Sequence, residues 1–142
     1  MMKILRWLAG LVIAVPALMF GTIYGVSEMG GEVVTLHRTE ATGETSTVRI
    51  WIVDEAGDAW IEHGAADAHW ISLLAQPGPL TLVRGDQLTT YTAGADPSAH
   101  ERYHELRRAK YGWADRVVEF FSSTAADCTS VPVRLDLPPM EG

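Results

Sequence analysis

The sequence predicts a mainly β domain with helices: a barrel of about six strands, helical elements before the last strand, and one transmembrane helix at the N-terminus. Three observations lead to this prediction. Six short segments rich in β-branched and aromatic residues are separated by turn residues. Helical patterns interrupt them, and the longest stands just before the last segment. An apolar run dominates the first 28 residues. At 142 residues, the chain has room for one domain and one extra segment.

The N-terminal segment is typical of a membrane anchor. Trp7–Ser27 contains no charged residue, and about 20 apolar residues are enough to span a bilayer. Lys3 and Arg6 precede this run, and Glu28 follows it. The positive-inside rule therefore predicts a single-pass membrane protein with a cytoplasmic N-terminus and an extracytoplasmic domain. We expect an anchor over residues 1–28 and a barrel domain over residues 29–142. A cleaved signal peptide stays open as the alternative.

The second of the six predicted strands, Thr45–Asp54, has the clearest pattern. Side chains alternate across a strand, so its residues fall on two faces: Val48, Ile50 and Ile52 on one, Arg49, Trp51 and Val53 on the other. The first face should lie on a core, whereas the second is either solvated or the wall of a site. The other predicted strands are Glu32–Arg38, Ala59–His63, Leu80–Arg84, Gln87–Ala93 and Val131–Leu137.

Three helical segments are predicted within the domain. A short helix covers Ala68–Gln76 and ends at the Pro-Gly-Pro sequence that follows. Asp96 is an N-cap candidate for the next helix, Pro97–Tyr111, because proline suits the first helical position. Gly112 should break that helix, and a further piece covers Trp113–Ser122. We expect Pro138 and Pro139 to stop the last strand.

Charge and cysteine content exclude some classes of function. The chain carries 18 acidic and 11 basic residues, and only nine basic residues remain once Lys3 and Arg6 are set apart. Nucleic-acid binding needs a basic face, so we expect no nucleic-acid partner. Cys128 is the only cysteine, which excludes an intrachain disulfide and a cysteine-based metal cluster. It is interpreted as a small buried hydrophobe.

Several local patterns, in chain order, resemble one known family. They are the hairpin Arg38–Glu44, which is similar to T-x-G-R-x-S-G-x-x-R, the strand Arg49–Asp54, the segment Trp70–Pro77, which is similar to W-x-x-N-L-x-x-N-P, the strand Leu80–Arg84 with Gly85-Asp86, and Lys110–Arg116 before the last strand. Together they resemble the FMN-binding split-barrel superfamily, most closely its deazaflavin-dependent nitroreductase and quinone-reductase family. The resemblance covers residues 32–137.

This resemblance implies a split β-barrel, commonly dimeric, that binds a flavin (FMN) or a deazaflavin and reduces small electrophiles. It leads us to expect a membrane-anchored homodimeric oxidoreductase whose acceptor is small and lipophilic, such as a quinone or a nitro compound. In the family, basic residues of the first hairpin bind the cofactor phosphate, whereas this chain has Glu40 and Glu44 in that loop. The Trp70 segment also lacks the two asparagines of the family pattern. Some split-barrel proteins bind haem through histidine, so haem stays open, with His63 and His69 as candidates.

A flavin site needs cations for the phosphate and flat walls for the ring. The candidate cofactor-binding residues are therefore the available cations and aromatic rings: Arg49, Arg84, Lys110 and Arg116, and Trp51, Trp70, Tyr111 and Trp113. No catalytic residue can be named from the sequence. A different class of function remains open, in which the barrel has lost its cofactor and serves as an extracytoplasmic binding or assembly module.

A second motif points to other chemistry. His100, Glu101 and His104 match H-E-x-x-H, which on a helix presents two histidines to zinc and a glutamate as general base. The zinc-hydrolase hypothesis is weakened by the charge of Arg102 between the histidines and by the lack of a clear third ligand, since only Glu119 has suitable reach. The main interpretation is therefore an exposed helix face and no metal site, with His100 and His104 as the alternative.

Overall fold

The computed structural model describes residues 2–121 and 126–137, with the backbone alone for residues 2–11 and for Ser27. The helices are α1 (Met2–Gly30), α2 (His69–Leu73), α3 (His100–Tyr111) and α4 (Trp113–Phe121). The strands are β1 (Val33–Thr39), β2 (Thr45–Glu55), β3 (Asp58–Ala65), β4 (Gly78–Arg84), β5 (Gln87–Ala95) and β6 (Ser130–Asp136). The prediction of six strands with helices before the last one is therefore confirmed.

The six strands close into an antiparallel barrel in the order β1-β2-β3-β6-β5-β4. The β1–β4 pairing, with Leu36 opposite Leu82, completes the ring. Three consecutive pairs are hairpins, whereas β6 enters between β3 and β5 after the chain has passed through α3 and α4. Closure leaves no free sheet edge among these strands. Their backbone N–H and C=O groups therefore pair within one chain and do not need a second subunit.

Strand β2 separates two apolar clusters, of which its alternating pattern predicts only the one on the face of Ile50 and Ile52. Ile50 and Ile52 lie in the barrel interior with Leu36, Ile61 and other residues of the surrounding strands. Trp51 and Val53 lie on the outer face, where they pack with Tyr103, Tyr111 and Ala114 of α3 and α4. The outer face of β2 is thus covered by the helical pair rather than solvated.

The cap at Asp96 and the break at Gly112 are as the sequence predicts, whereas the α-helix begins later than predicted. The Asp96 carboxylate accepts a hydrogen bond from the Ser98 amide at 3.0 Å, which is the capping contact. Pro97–Ala99 form a 3-10 turn before α3, so the α-helix itself begins at His100 rather than at Pro97. Gly112 has φ of 53°, a left-handed conformation in which a β-carbon is strained, and it separates α3 from α4.

Helix α2 is shorter than predicted: it covers five residues, His69–Leu73, instead of Ala68–Gln76. Ala68 has an extended backbone and is not part of the helix, and the residue before Pro77 is disfavoured in the α conformation. Strand β4 then begins at Gly78. The predicted helix end at Ser122 and the predicted stop at Pro138-Pro139 lie outside the described residues.

Helix α1 is long and apolar enough to cross a membrane, by length and composition, over Val12–Gly30. Its C-terminal end packs on the domain: Val26 joins the outer apolar cluster, and a β-carbon at Gly30 would lie 2.5 Å from the Ala114 side chain. Only glycine permits so close an approach of the two helices. The helix therefore extends two residues beyond the predicted anchor and ends against α4.

Candidate functional site

A pocket of about 370 Å³ opens between the β1–β2 hairpin and α2. The hairpin contributes His37, Arg38 and two threonines, and α2 contributes Trp70 at the base of an apolar wall. Ligand pockets for small molecules commonly measure about 300–1,000 Å³. The lining residues are His37, Arg38, Thr39, Thr45, Trp70, Leu73, Leu74, Pro79, Leu80, Thr81 and Leu88. Leucines with a few hydroxyl groups suit a flat, mostly apolar ring.

Trp70 is held rigidly in this pocket because it is buried and belongs to the barrel core cluster. The ring of His63 stacks beside it, with the centroids 6.5 Å apart. Burial lowers the pKa of His63 below its usual value. Gly64 adopts φ of 88°, and a β-carbon there would lie 3.0 Å from the indole Nε1. The C-terminal end of β3 therefore fits closely against the tryptophan.

Arg38 is the cation of this pocket, and it is already paired. Its Nε lies 2.9 Å from Glu40 Oε1 and donates to Ser46 Oγ at 3.0 Å. Ser46 donates a short hydrogen bond to the same carboxylate. This hydrogen bond, assisted by Arg38, holds the pKa of Glu40 below its usual value. Glu40 thus offsets the charge of Arg38 at the pocket.

Arg84 and Lys110 form an ion-pair network with Glu32 and Asp54 on the other side of β1. Arg84 donates to Glu32 at 2.6 Å and to Asp54 at 2.8 Å. The Lys110 ammonium donates to Glu32 at 2.6 Å, to Asp54 at 2.9 Å and to the carbonyl of Ile52 at 2.9 Å. The Arg84 hydrogen bond, with that of Lys110, lowers the pKa of Asp54 to about 2. Both cations are therefore matched by carboxylates of the same chain.

The aromatic residues predicted to wall a ring lie in separate places. Trp51 is buried beside Tyr111, with ring centroids 4.6 Å apart, and the Tyr111 hydroxyl donates to the carbonyls of Glu32 and Ile52. Trp113 is 63% exposed on α4. Trp51, Tyr111, Arg84 and Lys110 thus share one side of the barrel, apart from the pocket that contains Trp70.

The remaining two predicted cations also lie away from the pocket. Arg49 donates to Glu28 of α1 with Nε at 2.8 Å and Nη2 at 2.5 Å, a two-point contact that links the apolar helix to β2. Arg116 is exposed on α4. Of the eight candidate residues, only Trp70 lines the large pocket. Sequence reasoning missed the leucines of α2 and β4 that line the pocket, because their pattern is that of ordinary core residues. It also missed Arg38, although this residue begins the hairpin segment on which the family resemblance rests.

His100 and His104 lie side by side at the start of α3, with ring centroids 4.7 Å apart. His104 is only 3% exposed, so the expected exposed helix face is wrong for this residue. Both imidazoles approach the carboxylate of Glu62 on β3, at 3.5 Å for His100 and 3.3 Å for His104. Burial raises the pKa of Glu62 and lowers the pKa of His104 to about 4. Sequence reasoning missed Glu62, since nothing in its strand marks it as a ligand.

Comparison with known proteins adds information on the fold. No family model matches the chain, and no curated protein matches it. Among solved structures, HutZ, the heme storage protein from Vibrio cholerae, aligns with a TM-score of 0.52 and 11% identity, over 83% of this chain and 89% of that one. An F420-H2 dependent reductase, FDR-A, aligns with a TM-score of 0.47 and 17% identity, over 74% of this chain and 94% of that one. At 11% identity, the likeness to HutZ concerns the fold alone.

Proposed function

We propose that this protein is a membrane-anchored, reductase-like barrel that holds a flavin or deazaflavin ring in the pocket between the β1–β2 hairpin and α2. The observation that carries the proposal is the position of this pocket. It lies between Arg38–Glu44 and Trp70–Pro77, two of the segments whose residues resemble the cofactor-binding family. When bound, such a ring supplies hydride or electron transfer to a small electrophile.

The lining of the pocket suits the ring better than the phosphate of such a cofactor. Leu73, Leu74 and Leu80 offer apolar walls, and Thr81 offers a hydroxyl group at one side. These side chains would orient a flat ring and exclude water from it. A phosphate would compete with Glu40 for Arg38, because the two side chains are 2.9 Å apart. The proposal therefore assigns most of the binding free energy to ring contacts.

Membrane anchoring is part of the proposal. The apolar side chains of α1 are exposed over Val12–Phe20, apart from the half-buried Met19, as a helix in contact with lipid requires. Helix α4, which packs on the C-terminal end of α1, presents Trp113 and an 82% exposed Phe120. Aromatic side chains concentrate at membrane–water interfaces. We propose that the barrel rests close to the bilayer, outside the cytoplasm, with lipophilic acceptors such as quinones or nitro compounds within reach, and that it forms a homodimer.

A cofactor-free binding module is the second candidate, and a specific observation favours it. The cations Arg38, Arg49, Arg84 and Lys110 are each paired with a carboxylate of this chain. A cofactor phosphate would have to displace one of these intramolecular partners. A neutral ligand in the same pocket would require no such exchange.

The first test is the absorbance spectrum of the full chain, purified in a non-ionic detergent from cells supplied with flavin and haem. A flavin or deazaflavin band supports the reductase proposal, and a Soret band would replace it with haem binding. For a colourless preparation, FMN and a deazaflavin are then titrated by equilibrium dialysis. A chain that binds neither would refute the reductase proposal and favour the binding module.

Two variants locate the binding. Leu73→Trp fills the pocket from an exposed position, and we expect it to weaken cofactor binding about tenfold, which corresponds to about 1.4 kcal/mol. Leu137→Trp is the matched control, because Leu137 is also more than half exposed but lies outside this pocket. Equal affinities for the two variants would contradict the assigned site.

A second pair of variants tests the role of Arg38. Glu40→Gln should release Arg38 and raise the affinity for FMN relative to riboflavin, which lacks the phosphate. Glu44→Gln, in the same loop, should leave that ratio unchanged. A ratio that does not respond to Glu40→Gln would show that Arg38 does not bind the phosphate.

A further inference from the structure

Four potential metal ligands meet beneath the first turn of α3. Glu62 comes from β3, His100 and His104 from α3, and Cys128 from the segment before β6, and their ligand atoms lie within 4.8 Å of one another. Glu62 is 3.3 Å from His104, 3.5 Å from His100 and 3.7 Å from Cys128. In a tetrahedral zinc site with bonds of about 2.0–2.3 Å, neighbouring ligand atoms lie roughly 3.3–3.8 Å apart. The distances from Glu62 Oε2 to His104 and Cys128 fall in this range, and His100 Nε2 lies 3.5 Å from the other carboxylate oxygen, Oε1.

The cluster contains buried polar atoms without hydrogen-bond partners among the described residues. These atoms are Glu62 Oε1, His100 Nε2 and both nitrogens of His104. The side chains of Glu62 and His104 are only 3% and 4% exposed. A buried polar atom left unsatisfied costs about 1–3 kcal/mol, so native structures rarely leave several in one place. A single cation at the centre would satisfy the carboxylate and one nitrogen of each imidazole.

The orientation of His104 matches that of a metal ligand with a supporting carboxylate. Its Nε2 faces Glu62, while its Nδ1 lies 4.0 Å from Glu119 on α4. Metal-bound histidines usually donate their other N–H to a carboxylate, which fixes the tautomer and the direction of the ring. Glu119, the only helical carboxylate with suitable reach in the sequence, lies on the Nδ1 side of His104, where a supporting carboxylate belongs, and its oxygen is 4.0 Å away, beyond hydrogen-bond distance.

The charges around the cluster permit a dication. A carboxylate and a thiolate, with two neutral imidazoles, balance the two positive charges of zinc. Arg107 lies 3.9 Å from Glu62, but it is also paired with Asp115 at 2.5 Å and with Glu119 at 3.5 Å. Arg102, which stands between the histidines in the sequence, points to Glu55 and to Glu105 instead. The positive charge of Arg102, which weakened the metal hypothesis in the sequence, therefore points away from the cluster.

We propose that Glu62, His100, His104 and Cys128 bind one zinc ion in a structural site that ties α3 and the segment before β6 to the barrel. The mixed thiolate, imidazole and carboxylate set is typical of zinc ligands. Four protein ligands leave no position for a catalytic water, whereas hydrolytic zinc sites keep one open. Glu101, the general base of the hydrolase hypothesis, is exposed and lies outside the cluster. The zinc ion therefore stabilises the fold and does not hydrolyse a substrate.

The test uses the full chain in detergent, stripped with a chelator and reloaded with Zn²⁺ or Co²⁺. We expect one zinc ion per chain by elemental analysis. With cobalt we expect the visible bands of tetrahedral Co²⁺ together with a thiolate-to-metal charge-transfer band. Removal of the metal should lower the melting temperature of the wild-type chain. A wild-type chain that takes up no stoichiometric metal would overturn the proposal.

Variants assign the ligands. Cys128→Ser is nearly isosteric, so it should fold, lose the charge-transfer band and bind zinc at least about tenfold more weakly. Glu119→Gln should weaken zinc binding about 10-fold to 100-fold without loss of that band. His69→Ala removes an exposed histidine outside the cluster and should change neither quantity. An unchanged charge-transfer band in Cys128→Ser would refute the site, whether or not a variant of His104 folds. Binding of flavin in the pocket is measured separately and does not decide this result.

Discussion

Replacement of Asp54 by asparagine tests the ion-pair network of β1, β2 and α3. Asp54 accepts hydrogen bonds from Arg84 and Lys110, which lower its pKa from 3.8 to about 2. At face value this shift corresponds to about 2.4 kcal/mol of stability at neutral pH. The Asp54 side chain is 45% exposed, so solvent screening reduces the value, and we expect Asp54→Asn to cost about 1 kcal/mol.

The pH dependence of this stability difference tests whether its origin is electrostatic. Because the folded-state pKa of Asp54 is lowered, its contribution is complete above the unfolded pKa and is lost as the pH falls through the folded pKa. The difference in unfolding free energy between the wild-type chain and Asp54→Asn should be nearly constant from about pH 7 to 5, about half as large near pH 3, mostly lost near pH 2 and absent near pH 1. The assay is urea unfolding in detergent, followed by circular dichroism. Asp86→Asn, in the β4–β5 turn, is the exposed control. A difference that does not change with pH would refute the assigned electrostatic origin.

Three further predictions concern the outer face of the barrel and the end of α1. Trp51→Ala should cost about 3–5 kcal/mol in urea unfolding because it removes a buried indole, whereas the exposed Trp113→Ala should cost less than about 1 kcal/mol. Gly31→Ala should lower the free energy of unfolding by about 1–3 kcal/mol, and with it the melting temperature, because its β-carbon would overlap the Trp51 indole. Gly21→Ala is the control, because nothing lies within 4 Å of a β-carbon there. Tyr111→Phe should cost about 1 kcal/mol, since its hydroxyl donates to two backbone carbonyls, and an unchanged unfolding curve would contradict that role.

Much of the barrel could be predicted because its signals are local. The alternation of Val48, Ile50 and Ile52 against Trp51 and Val53 survives in the structure as two apolar clusters on opposite faces of β2. Hairpin turns, the Asp96 cap and the break at Gly112 depend on residues adjacent in sequence. The bounds of α2 were predicted less well, because the helix covers only His69–Leu73 and β4 already begins at Gly78.

The candidate sites were harder to predict because their residues are distant in sequence. Arg84 and Lys110 were assigned to a cofactor phosphate on charge alone, and only the fold brings Glu32 and Asp54 to them. Cys128 and Glu62 are 66 residues apart, and neither carries a motif. No periodicity could have indicated that they meet at the two histidines of α3.

The sequence alone determined the order and period of the strands, the two histidines one helical turn apart, and the long apolar run at the N-terminus, because each depends on residues within a few positions. Only the tertiary structure determined which acidic side chain pairs with which basic one. Barrel closure places β1 beside both β2 and β4, so that Glu32 and Asp54 pair with Arg84 and Lys110, two of the cations predicted to bind a cofactor. The same closure places β3 beside β6, which brings Glu62 and Cys128 together under α3. Electrostatic energy depends on distance in space, and that distance is not encoded in any local segment.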